Sequence, residues 1–148
     1  MIIMTYQRQF ILQSCHFNGA SEYAAFQQAQ ALWNSDPYKA YALLRQAARN
    51  THGHNFAVQI TVRADPEFSF KDWLVDDIAL EEVVREFDNQ NLSLHPAFEK
   101  MRATTENLAE LLAGRIAAIL PRAMRVSVDV QETRDIHAVS NVRSGEKE

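Results

Sequence analysis

The 148-residue sequence has few of the features that are typical of a disulfide-bonded, membrane-embedded or secreted protein. Its single cysteine, Cys15, excludes an internal disulfide and any metal site built from several cysteines. No stretch approaches the roughly 18 uninterrupted apolar residues that a membrane helix needs. The first residues carry neither a basic leader nor a cleavage site of small residues, so we expect no membrane partner and a cytoplasmic location.

Positive charge is also scarce. The formal net charge is −4, and the densest basic cluster joins only Arg45 and Arg49. A protein that tracks nucleic-acid phosphates needs a basic stripe or patch, so we expect no nucleic-acid partner. Because multi-cysteine sites are excluded, a bound metal ion would need ligands from carboxylates and from the five histidines.

The composition is that of an ordinary globular domain, with 47% hydrophobic and 23% charged residues. The length is sufficient for one hydrophobic core, and no repeat or linker divides the chain. We therefore expect a single domain over residues 1–143, followed by a polar tail over residues 144–148.

Hydrophobic periodicity predicts an α+β fold. Strands are expected at 7–17, 52–64, 125–132 and 136–142, and helices at 22–33, 38–49, 71–87 and 104–120. Ser21 and Asp36 are the expected caps of the first two helices. The order predicts an antiparallel sheet with two central helices packed on one face, and a helical insert between the first and second strands.

The clearest chemical signal is the sequence His52-Gly53-His54 at the start of a strand. Residues two apart in a strand share a face, so both imidazoles can converge on one ion. His16, near the end of the first strand, would lie beside them on an antiparallel partner. Three neutral imidazoles with an open fourth position are typical of a catalytic zinc site.

Five blocks of sequence then resemble one family. They contain Phe10 with His16, residues 52–56 (HGHNF), residues 87–92 (FDNQNL), residues 104–107 (TTEN) and residues 130–133 (VQET). This order is similar to the motifs of the 6-pyruvoyl-tetrahydropterin synthase and 6-carboxytetrahydropterin synthase family.

The resemblance implies the tunnelling fold, in which the sheets of three subunits close into a barrel and two such rings can stack. The chain would then be a homo-oligomer, either a trimer or a hexamer, that acts as a zinc-dependent lyase on a small dihydropterin such as dihydroneopterin triphosphate. The implied site residues are the Zn²⁺ ligands His16, His52 and His54, the pterin anchor Glu132, the pocket residues Thr104, Thr105 and Glu106, and the catalytic Asp88.

Two positions depart from the family pattern. The usual catalytic cysteine, four residues before the first histidine of the pair, is Ala48, and the histidine of the Asp-His relay is Asn89. Cys15 is a poor replacement, because adjacent strand residues point to opposite faces. Two alternatives therefore stay open: a zinc- and pterin-binding regulatory protein, and an enzyme that cleaves dihydroneopterin by a retro-aldol step.

Overall fold

The computed structural model describes residues 3–64, 67 and 69–143. The predicted tail, residues 144–148, lies outside the described residues. The main elements, in chain order, are β1 (Met4–His16), α1 (Ala20–Leu32), α2 (Pro37–Ala48), β2 (His52–Ala64), α3 (Phe70–Arg85), α4 (Thr105–Ile119), β3 (Ala123–Thr133) and β4 (Ile136–Arg143). Two short 3-10 turns, Leu92–Leu94 and Pro96–Phe98, join α3 to α4.

The four strands form one antiparallel sheet in the order β1-β2-β3-β4. Each central strand alternates between a buried and a more open side chain, as expected for a sheet with one covered face. Leu12, Phe56, Ile60 and Val128 belong to the buried face. The predicted α+β architecture is confirmed, including the helical insert between β1 and β2.

Helix α4 covers the buried face of the sheet. Leu108, Leu112 and Ile116 recur at helical spacing and are almost completely buried. Burial of side chains of this size contributes about 1.5–3 kcal/mol each relative to exposure. The helix ends at Ile119, two residues before Pro121. The proline nitrogen carries no hydrogen and cannot donate the backbone hydrogen bond that a longer helix would need.

The insert helices pack against each other through a small separate cluster that includes Phe17, Phe26 and Ala47. Asp36 caps α2 as predicted, since its side chain accepts a hydrogen bond from the backbone N–H of Lys39 at 3.2 Å. The predicted cap at Ser21 is wrong. Helix α1 begins at Ala20, with Gly19 in the cap position and no side-chain cap.

Periodicity predicts one apolar stripe in the third helix, made of Leu74, Ile78, Val84 and Phe87, and the structure shows this prediction to be partly wrong. Leu74 and Ile78 are exposed, whereas Asp76 and Asp77 are buried. Asp77 pairs with Arg8 of β1, and Asp76 lies near Arg122 beyond α4. These ion pairs stabilise Asp76 and Asp77 on the buried side of α3. The periodicity of the apolar residues alone does not predict which side of this helix is buried. Among the described residues, no helix combines the length and apolar character needed to cross a membrane.

Candidate metal centre

Three imidazoles meet at one end of the buried face of the sheet. The antiparallel register places His16 opposite His52 and Ser14 opposite His54. The ring centroid of His16 lies 4.6 Å from that of His52 and 5.2 Å from that of His54, and the remaining pair is 4.8 Å apart. The predicted convergence of the three histidines is therefore present in the structure.

Glu132 of β3 completes the cluster. Its Oε1 lies 2.7 Å from Nε2 of His54 and 3.6 Å from Nε2 of His16. The hydroxyl of Thr105, at the start of α4, donates a hydrogen bond to Oε2 of the same carboxylate. One potential ligand atom from each of the three histidines and Glu132 lies within 4.8 Å of all the others.

Backbone carbonyls fix two of the rings. Nδ1 of His16 lies 2.5 Å from the carbonyl oxygen of Ala103, and Nδ1 of His52 lies 2.9 Å from that of Asn50. Because a carbonyl oxygen can only accept, Nδ1 of each ring carries the proton. The lone pair of each neutral ring is thereby left on Nε2, the arrangement by which outer hydrogen bonds orient metal-binding histidines.

The environment of His16 favours its neutral form. Burial of the ring lowers the pKa of His16, and the neighbouring His52 and His54 add to that lowering. The hydrogen bond to Ala103 and the carboxylate of Glu132 act in the opposite direction without reversing it. Since only a neutral imidazole can offer a lone pair to a metal ion, His16 is suited to that role at neutral pH.

The cluster has unsatisfied polar atoms that a cation would satisfy. Nε2 of His16 and Nε2 of His54 are buried and have no hydrogen-bond partner among the described residues. The short separation between His54 and Glu132 is a close approach without hydrogen-bond alignment. Buried polar groups without partners are costly, so three imidazole nitrogens beside a carboxylate oxygen fit a divalent metal ion.

The three predicted pocket residues at the start of α4 differ in burial and in the groups that they contact. Thr105 is buried and contacts Glu132 directly. Thr104 caps the helix, and its side chain accepts a hydrogen bond from the backbone N–H of Asn107 at 3.2 Å. Glu106 lies in the first helical turn and is exposed. Thr105 is thus the member of this trio that contacts the cluster within one chain.

Asp88 does not contact the imidazoles within one chain. Its carboxylate accepts a hydrogen bond from the backbone N–H of Gln13 at 2.9 Å and lies 3.4 Å from Arg85. Asn89 follows with a positive φ of 55°, and its backbone N–H donates to the carbonyl of Gln13. The loop that contains Asp88 and Asn89 is therefore attached to the edge of β1.

Two positions, Cys15 and Ala48, bear on the catalytic cysteine of the family pattern. Cys15 pairs with Gly53 across the strands and lines a cavity of about 540 Å³ that also contacts Asn55 and Asn89. Gly53 and Asn55 alternate with the metal-facing histidines, but His54 also lines this cavity, which therefore extends to one member of the imidazole cluster. Ala48 is exposed at the end of α2 and has no acid–base group.

Sequence reasoning missed Glu22 and Asn50. The side-chain amide of Asn50 donates to Oε1 of Glu22 at 2.6 Å, while its backbone carbonyl accepts from Nδ1 of His52. The hydrogen bond from Asn50 is the main cause that lowers the pKa of Glu22. A side chain at position 19 would displace the carboxylate of Glu22 from this position. Because Glu22 and Asn50 are 28 residues apart in the sequence, no local sequence pattern indicates their contact.

Comparisons with known proteins agree with the motifs. A sequence model described as 6-pyruvoyl tetrahydropterin synthase matches residues 21–141. A 6-pyruvoyl tetrahydrobiopterin synthase from Poecilia reticulata is 36% identical over 87 residues, which cover 55% of this chain. The match spans 59% of the length of that relative.

Solved structures share the fold at low sequence identity. A Caenorhabditis elegans 6-pyruvoyl tetrahydropterin synthase has a TM-score of 0.63 and 18% identity, with 97% of both chains covered. A Plasmodium vivax 6-pyruvoyltetrahydropterin synthase, with a catalytic glutamate replaced by alanine, has a TM-score of 0.55 and 13% identity. That comparison covers 97% of this chain and 99% of the other. The predicted fold is thereby confirmed.

Proposed function

Because the chain belongs to the 6-pyruvoyl tetrahydropterin synthase family, we propose that it is a zinc-dependent lyase of this type. Its substrate would be a dihydropterin such as dihydroneopterin triphosphate. The observation that carries the proposal is the meeting of His16, His52 and His54 beside the carboxylate of Glu132. A cytoplasmic location remains part of this proposal.

His16, His52 and His54 would hold the zinc ion, and the carbonyls of Ala103 and Asn50 fix two of the three rings. A bound zinc ion would supply Lewis-acid stabilisation of negative charge that develops on the oxygens of the pterin side chain. The imidazoles must be neutral for this, which suits the lowered pKa of His16.

Glu132 would orient the pterin ring. A carboxylate can accept two parallel hydrogen bonds, which matches the amino group and the adjacent ring N–H of a pterin. The hydrogen bond from Thr105 restrains the carboxylate before the substrate arrives. Pre-orientation of this kind reduces the entropy lost when the ring binds. Thr104 and Glu106 would line the outer part of the same pocket.

Asp88 is the proposed proton-transfer residue. Within one chain it contacts Gln13 and Arg85 and not the imidazoles, so a catalytic role requires a second copy of the chain. The proposed role of Asp88 therefore depends on the homo-oligomer, trimer or hexamer, that the family resemblance implies. The catalytic glutamate of the Plasmodium vivax relative supports a carboxylate base in a family member, although the position of the usual cysteine is Ala48 here.

The decisive experiment is to incubate zinc-loaded protein with dihydroneopterin triphosphate and to identify the products by chromatography. We expect a 6-pyruvoyl- or 6-carboxy-tetrahydropterin product. The rate should be roughly a hundredfold or more below that of a family member with an intact relay, since loss of one acid–base group costs about 10²–10⁴-fold. Protein that contains zinc but neither binds nor alters any pterin would disprove the proposal.

A further inference from the structure

The three imidazoles of the metal centre differ in their exposure to solvent. His16 is completely buried and His54 is partly buried, whereas His52 is exposed. The centre is thus open on the side of His52, where a substrate from solvent would approach it. A group that exchanges a proton with the bound substrate should lie on the same side, because proton transfer needs contact or one bridging water.

The carboxylate of Glu22 lies on this open side. Its Oε1 accepts a hydrogen bond from the side-chain amide of Asn50 at 2.6 Å, and the backbone carbonyl of Asn50 lies 2.9 Å from Nδ1 of His52. Two hydrogen bonds that meet at Asn50 therefore connect the carboxylate to a proposed metal ligand. Asn50 follows Ala48, the position of the usual cysteine, by two residues. Glu22 thus brings a carboxylate to the segment that lacks the family's base.

Several contacts fix the position of Glu22 at the start of α1. Phe17, which precedes this helix, is buried, and its backbone N–H and carbonyl both bond to the hydroxyl of Ser93. The hydroxyl of Ser21 donates to Oε2 of Glu22 at 3.0 Å. Gly19 leaves the space that the carboxylate occupies. A group held in place in this way loses little freedom when the substrate binds.

The carboxylate of Glu22 is also chemically available. Its hydrogen-bond partners are the neutral amide of Asn50 and the neutral hydroxyl of Ser21, and it forms no ion pair with a basic side chain in the described part of the chain. The side chain is partly exposed. Since a glutamate is ionised at neutral pH, this carboxylate can accept a proton. It belongs to the same chain as the imidazoles and needs no second copy to reach them.

We propose that Glu22 is the general base that replaces the missing cysteine, an inference that rests on the proposed function. Glu22 would take the proton from the side-chain carbon that is bonded to the pterin ring. The electron pair of the broken C–H bond forms a C=C bond to ring carbon C6, the C6=N5 double bond opens, and N5 takes up a proton from water. The side chain is oxidised as the ring is reduced, so this step needs no external oxidant or reductant.

Replacement of Glu22 by glutamine separates proton transfer from positioning. Glu22→Gln keeps an oxygen that can accept from Asn50, but the amide is not a base. Zinc content is measured and kept equal in all samples. We expect Glu22→Gln to bind neopterin, a fluorescent pterin with an oxidised ring, as tightly as the unaltered chain. Its turnover of dihydroneopterin triphosphate should be about 10²–10⁴-fold slower. Glu110→Gln, at an exposed position of α4, should retain both properties.

Added formate tests whether the carboxylate itself is needed. Glu22→Ala leaves a space open to solvent, so formate should restore part of the lost turnover. Formate should not restore turnover in Glu22→Gln, whose side chain fills that space. A residue with only a structural role would not give this difference.

Chemical labelling provides a readout that does not depend on turnover. Bound neopterin should protect Glu22 from modification by a water-soluble carbodiimide and an amine, whereas Glu110 should be labelled equally with and without neopterin, as measured by peptide mass spectrometry. Turnover of Glu22→Gln equal to that of the unaltered chain, or equal labelling of Glu22 with and without bound neopterin, would overturn the role of Glu22 alone. Absence of product from the unaltered, zinc-loaded chain would instead refute the proposed function, and the role of Glu22 with it.

Discussion

Glu132 approaches His54 to 2.7 Å, yet the two side chains lack the alignment of a hydrogen bond. This geometry is compatible with two roles for the carboxylate: a fourth metal ligand or an anchor for the substrate. The proposed function requires the second role, because a metal ion held by four protein ligands would have no position left for the substrate in a tetrahedral arrangement.

Replacement of Glu132 by glutamine distinguishes the two roles. We expect Glu132→Gln to keep stoichiometric zinc but to bind a pterin roughly 10- to 100-fold more weakly, since hydrogen bonds to a charged group contribute about 1.5–3 kcal/mol. Zinc is measured by elemental analysis and pterin binding by fluorescence titration. Asp129→Asn, on the opposite sheet face, is the matched control. Loss of zinc from Glu132→Gln would instead identify the carboxylate as a ligand.

Removal of single imidazoles tests the metal centre. His16→Ala, His52→Ala and His54→Ala should each weaken zinc binding by more than about a hundredfold. Loss of an outer hydrogen-bond partner already weakens metal binding by about 10- to 100-fold, and loss of a direct ligand should have a larger effect. Competition with a chromophoric chelator measures the affinity. His137→Ala removes an exposed histidine of β4 and should leave the affinity unchanged. Equal zinc affinity in all four variants would show that the cluster is not a metal site.

The hydrogen bond between Glu22 and Asn50 should influence zinc binding without direct contact to the ion. Glu22→Ala frees the segment whose carbonyl orients His52, so we expect up to about tenfold weaker zinc binding with little change in global stability. The absorption spectrum of the cobalt-substituted protein should also change, which a purely structural role would not cause. Glu110→Ala, at an exposed position of α4, should leave both unchanged. Unaltered zinc affinity and cobalt spectrum in Glu22→Ala would contradict this prediction.

Asp76 predicts a specific pH dependence of stability. Burial raises the pKa of Asp76 above its ordinary value, while Arg122 opposes the shift and Asp72 adds to it. A carboxyl group with a raised pKa binds its proton more tightly in the folded state. Its ionisation therefore costs stability above the folded-state pKa, and the cost disappears as the pH falls towards the ordinary value of 3.8.

Urea denaturation between pH 7 and pH 4 measures this effect. The unfolding free energy of Asp76→Asn, relative to that of the unaltered chain, should be most favourable near neutral pH and should decline on acidification. Asp77→Asn is the matched comparison, because it removes the partner of Arg8 and should lose about 1–3 kcal/mol at neutral pH. A relative stability of Asp76→Asn that is constant over this pH range would contradict the assignment.

The sequence allowed prediction of those features that depend on local periodicity and short spacing. Strand β2 has the predicted bounds. His52 and His54 lie on the same face of this strand because side chains at positions i and i+2 point to the same side. The orientation of α3 was not predictable in this way. Its buried Asp76 and Asp77 depend on partners from β1 and from the segment after α4, and such distant charges leave no periodic signal.

Strand register sets a similar limit, because it depends on all the pairings of the sheet and not on any local sequence pattern. The hydrogen bond between Glu22 and Asn50 was likewise invisible, because it depends on how the helical insert packs beside the metal-binding strand.

The positive φ of Asn89 has an evolutionary consequence. Asparagine and histidine are both enriched in the left-handed region among residues other than glycine, so either fits this backbone. The loop could therefore exchange the two side chains without a change of shape. One nucleotide change converts a histidine codon into an asparagine codon or the reverse. Family members can therefore lose or regain the imidazole at this position while the surrounding fold stays the same.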